Sequence, residues 1–308
     1  MTKQVSSSVA PRRREGSYWF YLVPGTIGFV AVVAIPLGMN GYFSLTRWSG
    51  VGTPEFIGWD NYTRLAADPL FWGSFANSLA FVLGMAVIPT AIGVLVAAIL
   101  FDFISPRFGA RVASFLRATY YLPQILPIAA AGVLWKWMYQ PDYGVINAIL
   151  KTIGLGQFAS NWLGDPSVAL FAVMNVLIWL QLGYTVVIFM AGMARVDPAL
   201  YEAAEMDGAS WIRRFRVITL TQLRPEIAIV LVTTTVAALK VFAPVYILTK
   251  GGPGTSTVVP AYFSYSNFFT TSQVGYGAAI SSVLAVVVTV VAIVMLKLQN
   301  RAAEEAGR

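Results

Sequence analysis

The sequence predicts an all-α, polytopic membrane protein with six transmembrane helices. Three observations predict it. The 308 residues are 57% hydrophobic and only 11% charged, with a mean hydropathy of +0.68. A soluble domain cannot hide that much apolar surface, so the bilayer is the solvent. The apolar residues fall in six runs, at 18–44, 72–101, 112–138, 168–193, 217–247 and 277–298, each long enough to cross about 30 Å of hydrocarbon. Nine Trp and fourteen Tyr are enough to furnish aromatic belts at the two interfaces.

Residues 1–16 are polar and basic and predict an unstructured tail. The first apolar run is too long for a signal-peptide core and no small-residue cleavage site follows it, so it predicts a retained helix. The six-helix domain spans 17–299, and 300–308 forms a second tail. Loops at 45–71, 139–167 and 248–276 are rich in Gly, Pro, Asn and aromatics, which predicts compact connections rather than further domains. Fifteen Lys and Arg fall on one side (Lys3, Arg12, Arg13 and Arg14; Arg107, Arg111 and Arg117; Arg195, Arg213, Arg214, Arg216 and Arg224; Lys297, Arg301 and Arg308), against five (Arg47, Arg64, Lys136, Lys151, Lys250) on the other. The positive-inside rule therefore places both termini in the cytoplasm. The same rule accounts for the net charge of +7 without nucleic acid.

Cysteine and histidine are both absent. That removes disulfides, thiolate nucleophiles, the commonest metal ligand and the commonest general base. No metal site and no catalytic residue is expected.

Between the fourth and fifth runs lies a charged island, 197–225, DPALYEAAEMDGASWIRRFRVITLTQLRP. Asp197 is a good N-cap and Pro198 suits the first helical position. Helix is expected through Tyr201, Glu202, Ala203, Ala204, Glu205 and Met206. Asp207-Gly208 then breaks it, since glycine accepts the backbone angles of a C-cap. A second short helix from Ala209 or Ser210 carries Trp211, Arg213, Arg214 and Arg216 towards the fifth run. An amphipathic connector on anionic lipid would suit the arginines. It would not suit Glu202, Glu205 and Asp207, which such lipid repels. A protein groove receiving the first helix suits both halves.

The segment EAAEMDGASWIRRFRVITLTQLRP resembles the EAA loop of permease subunits from binding-protein-dependent ABC importers. Glu202, Ala203, Ala204, Asp207, Gly208, Ala209, Phe215, Ile218, Leu220, Leu223 and Pro225 match, while Thr221 stands where the family usually has proline. The segments at 59–81, 120–150, 248–269 and 276–281 look like the carbohydrate-uptake branch, the maltose and glycerol-phosphate type. The resemblance implies the type I ABC importer permease fold in a bacterial or archaeal cytoplasmic membrane. It implies a second homologous permease, an ATPase dimer that holds the EAA helices in surface clefts, and an extracytoplasmic solute-binding protein that delivers a sugar or sugar-like solute. ATP and magnesium would belong to the partner ATPase and no cofactor to this chain. Tyr201, Glu202, Ala203, Ala204, Glu205, Met206, Asp207, Gly208 and Ala209 would form the coupling segment. The chain would not itself be an enzyme.

Independently of that resemblance, no G-x-x-x-x-G-K-S/T phosphate loop occurs, so the chain does not bind ATP in that way. None of the fourteen acids lies deep in an apolar run. This weighs against the alternative, an ion-coupled carrier of a small polar solute, although backbone oxygens can bind sodium.

For the solute path, Asn175, Gln181 and Tyr184 are the polar exceptions in the fourth run, and Trp179 suits stacking on a pyranose ring. Interhelical hydrogen bonding explains the amides equally well. Lys240, near Phe242 and about two turns from the end of the fifth run, is either a snorkelling lysine or a solute-facing cation. Gly251, Gly252 and Pro253 predict a rigid loop facing the binding protein; no lysine or helix start follows to make a phosphate cradle.

Overall fold

A computed structural model describes residues 19–306. The basic tail expected at 1–16 lies outside the described residues, as do 307 and 308. In chain order, helix α1 is Phe20–Ser44. A minimal antiparallel hairpin follows, β1 Thr46–Arg47 against β2 Glu55–Phe56. Next come α2 Asp60–Ala66, α3 Pro69–Gly109, α4 at 110–125, α5 Ile128–Met138 and α6 Val145–Thr152. The second half comprises α7 Ala169–Met193, α8 Pro198–Met206, α9 Trp211–Gln222, α10 Arg224–Leu239, α11 Ala243–Leu248, α12 Pro260–Phe269 and α13 Val274–Ala306.

All six expected apolar runs are helical, but two are not single helices. Among the described residues, α1, α3, α7 and α13 are each long and apolar enough to cross a membrane. The α9–α10 pair makes a fifth crossing with a 66° bend. The run expected at 112–138 is split into α4 and α5. Leu126, at φ −66° and ψ 134°, is extended because Pro127 disfavours helix in the residue before it. The run at 217–247 breaks twice, at Leu223 before Pro225 and at Lys240–Phe242 before Pro244. The bend expected of a family proline at 221 is thus present despite Thr221, two residues later.

The unbroken spans also contain prolines; Pro24 sits within regular α-helix near the start of α1, and three others share one device. π-helical turns at Val30–Ala34, Leu83–Val87 and Leu100–Ile104 each end two residues before a proline: Pro36, Pro89 and Pro106. Proline lacks the N–H and clashes with the carbonyl four residues back, and a wider turn relieves both faults. In α3 this allows 41 residues of helix, about 60 Å, which overshoots the hydrocarbon and carries Asp102 and Arg107 beyond the expected end of the second run.

Lipid is as apolar as leucine, so burial alone does not hold these helices together; close packing and hydrogen bonds do. A Cβ on Gly183 would lie 2.1 Å from the Tyr120 carbonyl oxygen, so α7 and α4 meet backbone to backbone. On its other side, α7 receives α3 through Gly93, and Thr185 Oγ1 donates to the Pro89 carbonyl at 2.9 Å. Around these contacts lie two buried clusters. One gathers Phe81, Met85, Trp135, Val173 and Val245. The other gathers Val94, Phe189, Met193, Leu223 and Val230 at the end that bears the island. α1 buries only its last residue, Ser44. It is clasped to α13 by Asn40, whose Nδ2 donates to Ser282 Oγ at 2.8 Å and whose Oδ1 accepts from Ser281 at 3.0 Å.

Gly84 packs on the Met174 side chain rather than on backbone. Because methionine can change rotamer, Gly84→Ala is expected to cost only about 1 kcal/mol. A thermal melt of the detergent-purified protein measures this.

Candidate functional site

The island folds as its sequence predicts and adds anchors that the sequence did not reveal. Asp197 accepts from the Ala199 N–H at 2.9 Å, and Pro198 opens α8. At the other end Gly208 has φ +69°, a left-handed conformation that favours glycine. Its N–H donates to Glu205 O at 3.0 Å, and the Ala209 N–H reaches back to Ala204 O at 2.9 Å. These two bonds are a Schellman cap. α8 buries none of its residues. Glu202, Ala203, Glu205, Met206 (89% exposed), Asp207 and Gly208 are open, while Tyr201, Ala204 and Ala209 are half-buried towards the rest of the chain.

Four contacts fix the direction of this open helix. Tyr201 shares a hydrogen bond with Thr219 of α9 at 3.0 Å. Burial pushes the Tyr201 hydroxyl above its usual pKa, the Thr219 bond only partly offsetting this, so the group stays neutral. Glu205 pairs with Arg214 at 2.9 Å across the elbow. Trp211, stacked on Phe215, donates its indole N–H to Asp102 of α3 at 2.8 Å. Arg195, at the end of α7, pairs with Glu226 in the first turn of α10. Trp211 thereby ties the island to α3, and the Arg195–Glu226 pair joins α7 to α10 at its base. Asp102, Arg195 and Glu226 were not singled out by sequence, since each partner is far away in the chain. A recess of about 390 Å³ lies between α8 and α3, lined in part by Asp102, Tyr201, Glu202, Glu205, Trp211 and Arg214.

The residues expected along a solute path separate into two groups. Asn175 donates to the Tyr139 hydroxyl at 3.0 Å, and that hydroxyl donates to the Ala172 carbonyl. Trp179 packs edge-on to Trp135 at 5.5 Å between ring centroids. These two join α7 to α5 as interhelical contacts. Tyr184 lies against Thr233 of α10, hydroxyl to hydroxyl at 3.4 Å, and Gln181 is half-buried. The second group sits at the break between α10 and α11. Lys240 ends α10 rather than lying within a continuous helix, and it is exposed. Among the described residues it has no carboxylate within 4.0 Å. Phe242 starts α11, stacks with Tyr246 at 5.5 Å and Tyr262 at 6.5 Å, and meets Tyr265 with tilted rings at 5.0 Å. The sequence did not reveal that α12 brings Tyr262 and Tyr265 here; their spacing of three residues on one short helix is its only trace.

The loop before α12 is held rigidly. Thr257 Oγ1 donates to Gly252 O at 2.8 Å, and Asn77 of α3 donates to the carbonyls of Ser256 and Val258 at 3.1 and 2.8 Å. Gly251, with φ +81°, is buried: a Cβ there would meet the Tyr262 ring at 2.6 Å. Gly252 and Pro253 are half-buried, and the exposed tip of this loop is Gly254 and Thr255.

Long apolar helices around small-residue contacts, interrupted by a capped polar helix left open at one end, define a membrane permease with a docking helix. Residues 107–304 match the family of binding-protein-dependent transport system inner membrane components, and the chain belongs to that family. It is 35% identical to the diacetylchitobiose uptake system permease protein NgcF of Streptomyces coelicolor, over 94% of this chain and 86% of that one. It is 32% identical to the trehalose/maltose transport system permease protein MalF of Thermococcus litoralis, over 96% and 98%. Its fold is that of a type I ABC importer permease. A chain of a bacterial ABC transporter that imports the acidic polysaccharide alginate superposes with a TM-score of 0.78 at 23% identity, covering 92% of this chain and 94% of that one. The protein is thus a multi-pass inner-membrane permease subunit of an ABC importer, and not itself an enzyme.

Proposed function

We propose that this chain is one of two homologous permeases in a carbohydrate importer, and that α8 is the helix through which a separate ATPase dimer moves it. The observation that carries this reading is α8 itself. It is capped at both ends and buries no residue; Tyr201 and Glu205 bond it to α9, whose Trp211 reaches Asp102 of α3, and the Arg195–Glu226 pair joins α7 to α10 at the base of the loop. A helix left open by its own chain yet tied firmly to the spans is suited to transmit a displacement. ATP and magnesium then act in the ATPase; α8 supplies the mechanical link. The exposed Ala199 and Ala203 let the partner's groove approach closely, and the open Glu202 and Asp207 present negative charge to it.

The loop charges support placing both termini and α8 in the cytoplasm. The Gly252–Thr255 loop then faces the outside, where a solute-binding protein delivers its cargo. The relatives that transport diacetylchitobiose, trehalose or maltose support a sugar or oligosaccharide as that cargo.

Purification through a tag on this chain from its native membrane is expected to bring down an ATPase and a second permease in stoichiometric amounts. A transport-competent assembly without an ATPase would overturn the reading.

A further inference from the structure

We propose that Lys240 and the aromatic cluster that opens two residues on form an anion-accepting subsite at the outer mouth of the path, selecting a carbohydrate that carries a carboxylate, sulfonate or phosphate group. The inference rests on the permease reading and on the orientation given above, and it narrows the cargo within them.

The argument begins with the exposed stripe of α10. Beyond its first two residues, Ile229, Thr233 and Ala237 are its open positions and Lys240 at its end continues them, spaced by three or four residues and so on one face. Thr233 on that stripe faces the Tyr184 hydroxyl of α7. A stripe that bears a threonine and a lysine and lies beside a tyrosine hydroxyl is ill suited to lipid, so it fits a wet path between permeases. From Arg224 the 16 residues of α10 climb about 24 Å, against about 30 Å of hydrocarbon, which places Lys240 near the outer end.

The second observation is the break itself. α10 stops at Lys240 and α11 starts after Phe242, so the lysine is carried on a turn and not on a helix wall. Two residues on, Phe242 opens an aromatic cluster with Tyr246, Tyr262 and Tyr265, in pairs 5.0 to 6.5 Å apart between centroids. Aromatic faces suit the apolar faces of sugar rings, and the tyrosine hydroxyls suit their polar edges. Lys240 is exposed and has no carboxylate partner among the described residues, so its charge is free to meet an anion in the path. The anionic group of an incoming sugar supplies that partner.

The test uses the assembled importer, with its second permease, ATPase and binding protein, in proteoliposomes. Uptake is measured for neutral oligosaccharides and for matched oligosaccharides containing glucuronate or galacturonate. The expected result is uptake of an acidic member. Lys240→Met should lower it about tenfold or more, the loss of one charge-assisted contact, whereas Lys240→Arg should largely keep it. Uptake of neutral sugars alone, or acidic uptake unchanged in Lys240→Met, overturns the subsite and leaves the sugar permease reading standing. Uptake of no carbohydrate at all overturns both. As the chain has no cysteine, Lys240→Cys introduces a single thiol into it. In the assembled importer, a membrane-impermeant anionic thiol reagent applied from outside should label this chain, and a transported acidic sugar should slow that labelling. No labelling of this chain would place position 240 outside the path and overturn the proposal.

Discussion

Gly208→Val is expected to abolish solute uptake while leaving the chain in the membrane at wild-type amounts. Gly208 holds φ +69°, and the two Schellman bonds depend on that conformation. A residue with a side chain pays roughly 1–2 kcal/mol there, and a β-branched one is the least tolerated. That cost is small for the whole protein. It is large for α8, nine residues long with none buried, whose direction is set by its cap and a few polar contacts. A Cβ at Gly208 meets nothing within 4 Å, so the substitution has no clash to transmit to the spans. The elbow is expected to open, α8 to lose its direction, and the ATPase to hydrolyse ATP without moving solute. Gly208→Asn, which tolerates left-handed backbone, should retain partial uptake. Glu202→Lys should give the same loss as valine by another route, because it reverses charge on the open face. Uptake assays alongside quantitative blots of isolated membranes distinguish these outcomes. Normal uptake by either Gly208→Val or Glu202→Lys would sink the assignment of α8 as the coupling helix.

The sequence makes α8 legible because everything that shapes it is local. Asp197, Pro198, the two alanines and Asp207-Gly208 act within a turn of where they stand. The long apolar runs are legible for the same reason, and α1, α3, α7 and α13 lie where hydropathy puts them. The breaks are less legible. Pro127 and Pro244 mark two of them, but Pro36, Pro89 and Pro106 sit in unbroken spans behind π turns, so proline alone does not separate a break from a bulge. The contacts that tie α8 to the membrane helices are not legible at all. Asp102 and Trp211 are 109 residues apart, and nothing in either neighbourhood points to the other. The aromatic cluster at Phe242 forms only because α12 folds back over the α10–α11 break. Asn175 and Trp179 stand where the sequence puts them, but the structure turns both onto α5, which favours interhelical contact over solute contact.

The ion pair flanking the island carries the other large expectation. Arg195→Met should destabilise the protein by about 2–3 kcal/mol, the loss when a charged hydrogen bond to a buried group is removed from one side only. The pair is asymmetric. The Glu226 side chain is 9% exposed and that of Arg195 is 71% exposed, so the carboxylate is the group that depends on the contact. Arg195 meets Glu226 at Oε1, Oε2 has no hydrogen-bond partner among the described residues, and the carboxylate packs over Gly192, where an added Cβ would come within 3.0 Å of it. The first turn of α10 offers its helix dipole to this carboxylate, but only as partial compensation. Replacing both members, Arg195→Met with Glu226→Met, removes the buried charge along with its partner and should restore much of the lost stability. Thermal melts of the purified assembly, run as a double-mutant cycle, give the coupling directly. The pair also closes the base of the loop formed by α8 and α9, between the end of α7 and the start of α10. Arg195→Met is therefore expected to lower the ratio of solute moved to ATP hydrolysed even at temperatures where the protein stays folded. A melting curve and transport ratio both equal to wild type would show that the pair is neither a clamp nor a strut.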